Sequence, residues 1–574
     1  MRRGINILTV LVAVPWTGQL PARDTVPVET SARSLFSVVL SPAAASQISQ
    51  LGLEIPVTGR VFAIVSRSGD SEPRRQVGVT GVPFWGMDVA NLRAGDSVSL
   101  HGGAPGVVGY PIPMQELPAG EYYVQAFLNV YTRFAKADGH TVYMHMNSGA
   151  GQNLWRAPGN AYSAPVRAQL GGDKAGSVTL TLTEVIPPIE PVPAGGSLQQ
   201  GNPQDTEWIK FVKIKSELLS RFWGRDMYVG ANVLVPLGFD EDGDKHYPVI
   251  YLQGHFPGRR APFGFVPGDS GRGRSAGFSD FWVSDTAPRV LAVTFREANP
   301  FYDTSYDINS ANVGPSGDVV VKELIPLIEK KFRAIGEPWA RVLAGGSTGG
   351  WEALALQVFY PDEFGGTWGW CPDPVDFHYY QIVNVYDDDN AYFSGNEWQT
   401  IERPNARSPD GNIRTTVRQE NLFELAKGSN SRSGGQWAIW EALFGPVGAN
   451  GYPQPIWNML TGEIDHDVAR YWRDHYDINH YLRNNWRTVG SKLRGKIHVA
   501  TGDMDSYYLN DAVYLLQSLA DSVTNPPAQA SFEYGWRKPH CFIGYSKNHP
   551  GEDLGYAEFI ATAAEFMKAN APGR

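Results

Sequence analysis

Val342-Leu343-Ala344-Gly345-Gly346-Ser347-Thr348-Gly349-Gly350 reads as a short buried strand, a tight glycine turn carrying a serine, and a helix beginning near Trp351. Ser347 stands in a Gly-x-Ser-x-Gly pattern, whose glycines let the backbone turn sharply enough to lift the hydroxyl clear of a sheet. A helix N-terminus directly behind it favours developing negative charge. Context decides such a motif, because a chain with 62 glycines meets it by chance. Ser275, in Gly273-Arg274-Ser275-Ala276-Gly277, fits the pattern too, but no apolar strand precedes it and it reads as a flexible surface loop. Ser347 has the strand 341–344 before it, then the helical spacing Trp351, Leu354, Ala355, Val358, closed by Tyr360-Pro361.

Outward from this turn, residues 247–252 (Tyr-Pro-Val-Ile-Tyr-Leu) form a continuous apolar run suited to a central parallel strand, and 290–294 is another. Residues 208–212 and 227–237 read as strands, and 319–332 has helical periodicity. Buried strands alternating with helices indicate an α/β, doubly wound sheet over residues 207–574. Residues 34–184 differ: 35–40, 61–65, 122–131 and 178–182 are short β-branched or aromatic runs between Gly, Pro, Asp and Ser turns, which predicts an all-β sandwich of immunoglobulin-like type. The Pro/Gly-rich stretch 185–206, with Ile186-Pro187-Pro188-Ile189-Glu190-Pro191-Val192-Pro193, reads as the linker between the two.

A chain of 574 residues exceeds one ordinary core, which suits two domains. A net charge of −10 argues against a nucleic-acid partner, since phosphate binding needs clustered cations. Arg2 and Arg3 before the apolar run 5–14 predict a signal peptide over 1–22 and a secreted or periplasmic protein. That run is too short to span a bilayer, but no clean small-x-small cleavage site follows it, which leaves a retained anchor as the alternative; no integral membrane span is expected beyond this N-terminal signal.

Residues 245–570 resemble the α/β-hydrolase esterases of the esterase D, enterochelin esterase and feruloyl esterase type. The resemblance rests on Tyr247-Pro248-Val249-Ile250-Tyr251-Leu252-Gln253-Gly254-His255, on Glu323-Leu324-Ile325-Pro326-Leu327-Ile328-Glu329, and on the Ser347 turn followed by Tyr360-Pro361-Asp362-Glu363-Phe364-Gly365-Gly366. It implies a serine esterase that cleaves carboxylic esters through a Ser-His-Asp triad without a cofactor or metal. Residues 34–183 lie outside it.

A serine hydroxyl needs a histidine base and a carboxylate to orient that base, and in this fold they follow the serine in the order acid, then histidine. After the strand Lys496-Ile497-His498-Val499-Ala500 comes Thr501-Gly502-Asp503-Met504-Asp505. The family's acid falls three residues past that glycine, which implies Asp505, with Asp503 the alternative. His540, in the loop after the strand Ser531-Phe532-Glu533-Tyr534, is the expected base and His549 its competitor. The resemblance implies an oxyanion hole from the N–H of Thr348 and from the loop after Leu252, where His255 or Phe256 donates.

The two cysteines, Cys371 and Cys541, each follow a strand at the catalytic edge, and export makes them a disulfide candidate; their spacing leaves the bond open. Residues 377–494 form an insertion expected to cap the active site, with aromatic helical segments at 437–444 and 471–486. Its Asp387-Asp388-Asp389 run and the group Asp465, His466, Asp467 lack a metal-ligand spacing and read as solvated surface. The substrate is expected to be a small-molecule or polysaccharide-linked ester. An acyltransferase would use the same triad, and a glycan- or surface-binding protein with a degenerate hydrolase domain is the non-enzymatic alternative.

Overall fold

Short, almost continuously buried runs build the central sheet of the computed structural model, which describes residues 34–145, 153–172, 176–189, 203–241, 243–254, 261–396 and 398–573. Its eight strands are β1 (Ile209–Ser216), β2 (Met227–Leu234), β3 (Val249–Gln253), β4 (Leu291–Arg296), β5 (Arg341–Gly346), β6 (Gly366–Trp370), β7 (Ile497–Gly502) and β8 (Ser531–Gly535). They lie in the order β1-β2-β4-β3-β5-β6-β7-β8. β1, β2 and β4 pair antiparallel, and every pairing from β4 through β8 is parallel. The parallel strands need crossovers, and helices on both faces bury them, which is why Val249-Ile250-Tyr251 and Val342-Leu343-Ala344 are apolar on both sides. The carboxyl ends of β5, β7 and β8 therefore open on one edge, where the loops carry chemistry.

The N-terminal region is β-rich. A three-stranded sheet orders Gly176–Leu182, Ser34–Leu40 and Ser97–His101, with Ser34–Leu40 in the middle. A seven-stranded sheet centres on Val57–Ser66 between Phe84–Leu92 and Gly120–Val130. Phe36, Val38, Leu100 and Leu180 of the smaller sheet share one core with Val61, Ala63, Val124 and Leu128 of the larger. The all-β expectation is corrected at Pro42–Gln50, which is a helix. Ser41 caps it by accepting from Ala44 N at 3.0 Å, Pro42 takes the first turn where its missing N–H costs nothing, and alanines follow.

The two halves share apolar surface. The hairpin Thr132–Ala135/Thr141–Met144 places Phe134, Val142 and Met144 in the core of the α/β half, with Phe134 edge-on to Trp223 at 5.2 Å. Between β6 and β7 the chain makes two small hairpins and then the helices Val417–Lys427, Gln436–Phe444, His466–Tyr476 and Ile478–Leu493. The single helical segment expected over 471–486 is two helices. Asp477, in extended backbone, stops the first and caps the second by accepting from His480 N at 2.7 Å. Among the described residues no helix is long and apolar enough to cross a membrane. The signal-peptide expectation and most of the linker, 190–202, lie outside the described residues.

Candidate active site

β5 ends at Gly346, and the helix Thr348–Phe359 starts two residues later. Ser347 bridges them at φ 59°, ψ −124°, a left-handed conformation that non-glycine residues adopt only when their surroundings enforce it. The enforcement is local. Ser347 N donates to Trp370 O on β6 at 2.9 Å, and Ser347 O accepts from Gly350 N at 2.9 Å. Gly345 and Gly349 have no room for a side chain: a Cβ on Gly345 would strike Gly349 O, and one on Gly349 would strike Gln253 O. Hence the spacing of the motif.

Ser347 Oγ lies 2.8 Å from His540 Nε2, and His540 Nδ1 lies 2.7 Å from Asp505 Oδ2. Asp505 is fully buried and held by its own loop, its Oδ1 accepting from Tyr507 N at 2.9 Å and Leu509 N at 3.3 Å. A carboxylate only accepts, so Nδ1 carries the proton and Nε2 is left to accept from the serine hydroxyl. Burial opposes charge on His540, but the Asp505 carboxylate outweighs it and holds the imidazole well above its ordinary value. Such a chain can strip a proton from a hydroxyl and hold it.

The alternatives lie elsewhere. Asp503 Oδ1 accepts from Arg537 N at 2.6 Å, and His549 N donates to Ser546 Oγ at 2.8 Å. Ser275 ends a short 3₁₀ turn, its hydroxyl donating to Phe263 O at 3.3 Å. Thr348 opens the elbow helix, so its N–H is among those with no partner inside the helix. His255 and Phe256 lie outside the described residues; Gly254 before them lines the cavity beside Ser347.

The bond that the spacing left open is not made: the disulfide candidates Cys371 and Cys541 are both free. Their sulfurs and a His540 nitrogen lie within 4.8 Å of one another. Hydrogen bonding from Cys371 and from His540 draws the Cys541 thiol downward, while burial pushes that of Cys371 up. A second group, Asp376, His378 and Asp477, meets the same 4.8 Å limit. Its carboxylates serve turns: Asp376 Oδ1 accepts from His378 N at 2.9 Å, and Asp477 Oδ2 from Phe377 N at 2.9 Å and the Tyr386 hydroxyl at 2.7 Å. In the Asp387–Asp389 run, Asp388 pairs with Arg403 at 2.9 Å, and Asp465 caps the helix His466–Tyr476.

Ser347 and His540 face a cavity of about 570 Å³, the size of a small-molecule site. The sheet and its loops supply Trp370, Tyr507 and Tyr556; the insertion supplies Glu420, Phe423, Glu424, Lys427, Gln436, Trp437 and Trp440. Asp373, just past β6, also faces it. Its Oδ2 accepts from the Tyr306 hydroxyl at 2.7 Å and from Thr348 Oγ1 and Trp440 Nε1, each at 3.2 Å. Burial raises the Asp373 carboxyl to about 6 despite these donors. Burial, then the neighbouring Glu424, raises Glu420 to about 7.

Asp373 and the insertion's polar side chains carried no sequence signal, because no spacing rule links them to Ser347. Arg407 is another such residue: it donates from Nε to Asp505 O at 2.9 Å and from its backbone N to Ser506 O at 2.8 Å, pinning the acid loop to the insertion.

A mostly parallel eight-stranded sheet with a serine turn after β5, an acid after β7 and a histidine after β8 is the arrangement of the α/β-hydrolase fold. Residues 224–374, from β2 to just past β6, match the family model described as "Putative esterase". A protein of Xylanibacter ruminicola described as an endo-1,4-beta-xylanase/feruloyl esterase is 31% identical over 144 residues. The match takes in 24% of this chain and 19% of that protein, so the chain spans about a fifth of the relative's length. A solved ferulic acid esterase is 15% identical with a TM-score of 0.33, covering 63% of this chain and 96% of that one. The S-formylglutathione hydrolase of Agrobacterium tumefaciens is 13% identical with a TM-score of 0.31, covering 64% of this chain and 96% of that one.

Proposed function

We propose that the protein is an exported serine esterase that hydrolyses carboxylic esters. The observation that carries this reading is the hydrogen-bonded line from Ser347 Oγ through His540 to Asp505, at 2.8 and 2.7 Å, opening on the cavity. Ser347 Oγ attacks the ester carbonyl carbon as its proton passes to His540 Nε2. The Thr348 N–H at the helix N-terminus stabilises the oxyanion. His540 then returns the proton to the leaving alcohol, which departs and leaves an acyl-serine. Water attacks that ester in turn, His540 taking its proton and giving it back to Ser347 as the acid is released.

The cavity mixes Trp370, Phe423, Trp437 and Tyr556 with Gln436, Glu420 and Lys427, which suits an ester of an aromatic or hydroxylated group. The printed name of the Xylanibacter relative supports a feruloyl-type ester as the first substrate to try. The two sheets sharing one core support an immunoglobulin-like sandwich for the β-rich unit. Arg2, Arg3 and the apolar run 5–14 support export to the periplasm or medium. The test is turnover of a panel of p-nitrophenyl acyl esters and methyl ferulate by the wild type and by Ser347→Ala. Activity and fluorophosphonate labelling lost only in Ser347→Ala are expected. A folded wild type that turns over none of them and takes no label refutes the reading.

A further inference from the structure

The β-rich unit reaches the cavity through one helix. Val417–Lys427 presents Glu420, Phe423, Glu424 and Lys427, three and four residues apart, to the space beside Ser347. Its other side rests on the β-rich unit, where Leu422 and Ala426 join Phe62, Phe84, Tyr110 and Trp155. Phe423 belongs to both surfaces, with its ring edge-on to Tyr110 at 5.4 Å and to Phe84 at 5.9 Å.

Arg60, on the central strand of the seven-stranded sheet and 1% exposed, holds the helix end. It donates from Nε to Ala426 O at 3.1 Å and from Nη2 to Leu425 O at 3.4 Å. The last carbonyls of a helix have no partner within it, and the negative end of its dipole favours a cation there. Arg60 is itself fixed by Asp88 Oδ1 at 2.7 Å and Gly86 O at 3.2 Å, and Asp88 Oδ2 accepts from Arg432 Nη2 and Ser429 Oγ of the insertion, each at 2.6 Å. The helix passes the constraint on: Glu424 accepts from Ser433 Oγ at 2.7 Å and from Trp437 N and Ala438 N at 3.1 and 2.9 Å, at the start of the helix that carries Gln436, Trp437 and Trp440 into the cavity.

We propose that Arg60 is a positioning residue for substrate selectivity, through which the β-rich unit sets the insertion-side wall of the pocket. The inference rests on the esterase reading. Ser347, His540 and Asp505 hang from the sheet and the elbow, so an ester too small to reach the wall should not sense Arg60.

The experiment compares kcat and KM for p-nitrophenyl acetate with those for the bulkiest ester the wild type hydrolyses, in Arg60→Ala, Arg60→Lys and Asp88→Asn. Arg60→Ala is expected to lower kcat/KM for the bulky ester at least tenfold, mostly through KM, while acetate stays within about threefold. Arg60→Lys, which reaches one carbonyl instead of two, should recover part of the loss. Asp88→Asn, which frees Arg60 without shrinking the core, should shift the ratio the same way and carries the test if Arg60→Ala does not fold. Parallel loss on both esters, or an unchanged ratio in Asp88→Asn, overturns the proposal. A wild type inert to every ester refutes the esterase reading instead.

Discussion

Asp505→Asn is the sharpest test of the candidate triad. The substitution keeps the shape of the loop, because the amide oxygen can still accept from Tyr507 N and Leu509 N, 2.9 and 3.3 Å away. The amide NH₂ then faces His540 Nδ1 across 2.7 Å and drives the ring proton to Nε2, 2.8 Å from Ser347 Oγ, so the base meets the hydroxyl as a donor. Two losses add. Removing a unit negative charge about 4 Å from the forming imidazolium forfeits about 4 kcal/mol at an effective dielectric near 20. Restoring the productive tautomer breaks a buried hydrogen bond and costs about 1–2 kcal/mol more. About 5–6 kcal/mol corresponds to roughly 10⁴-fold in kcat. Steady-state kcat on a p-nitrophenyl ester, with circular dichroism to establish folding, reads the result. Asp503→Asn should stay within about threefold of the wild type, since Asp503 serves Arg537 N instead. A loss below about tenfold in Asp505→Asn, or an equal loss in Asp503→Asn, refutes the assignment.

Three further outcomes follow from the same geometry. Gly349→Ala drives a Cβ into the backbone oxygen of Gln253 and should lower stability by about 3 kcal/mol or more, or prevent folding; an unchanged melting temperature would contradict the tight elbow. His540 must be neutral to act, and its raised pKa means that kcat/KM climbs with pH through a midpoint above about 6.5; a midpoint below that value would show that the Asp505 carboxylate does not govern it. Glu297, Asp307 and Glu352 are buried together, and burial raises all three, so their contribution to stability is complete below their ordinary carboxyl values and lost as pH rises through the raised ones. Glu352→Gln keeps an acceptor for the Thr304 hydroxyl and removes a charge, and should stabilise the protein by about 1–2 kcal/mol at about pH 8 and little at about pH 5. Denaturant melts at both pH values check it, and equal shifts would refute it.

The sequence by itself determined the local elements and their order. Apolar runs at β3 and β5, glycines flanking Ser347, and the helical spacing after it dictate a strand, a strained turn and a helix, because these are short-range steric demands. The positions of Ser347, Asp505 and His540 along the chain were legible in part for the same reason, each following a strand that reads as one, and in part from the resemblance, which implies an acid three residues past Gly502. Near the site, the choice of Asp505 over Asp503 and of His540 over His549 depended on where two loops place their side chains across the sheet edge. Asp373, Glu420 and Lys427 were silent, as no periodicity distinguishes a cavity-facing carboxylate from a solvated one until burial removes the water. The Pro42–Gln50 helix had its Ser-Pro-Ala signal, but the surrounding β pattern outweighed it. Only the tertiary structure decided that the two halves share a core and that Arg60 meets Ala426, 366 residues away. Such contacts come from packing whole faces together, a choice the free energy makes over the assembled surface and not over any window of the chain.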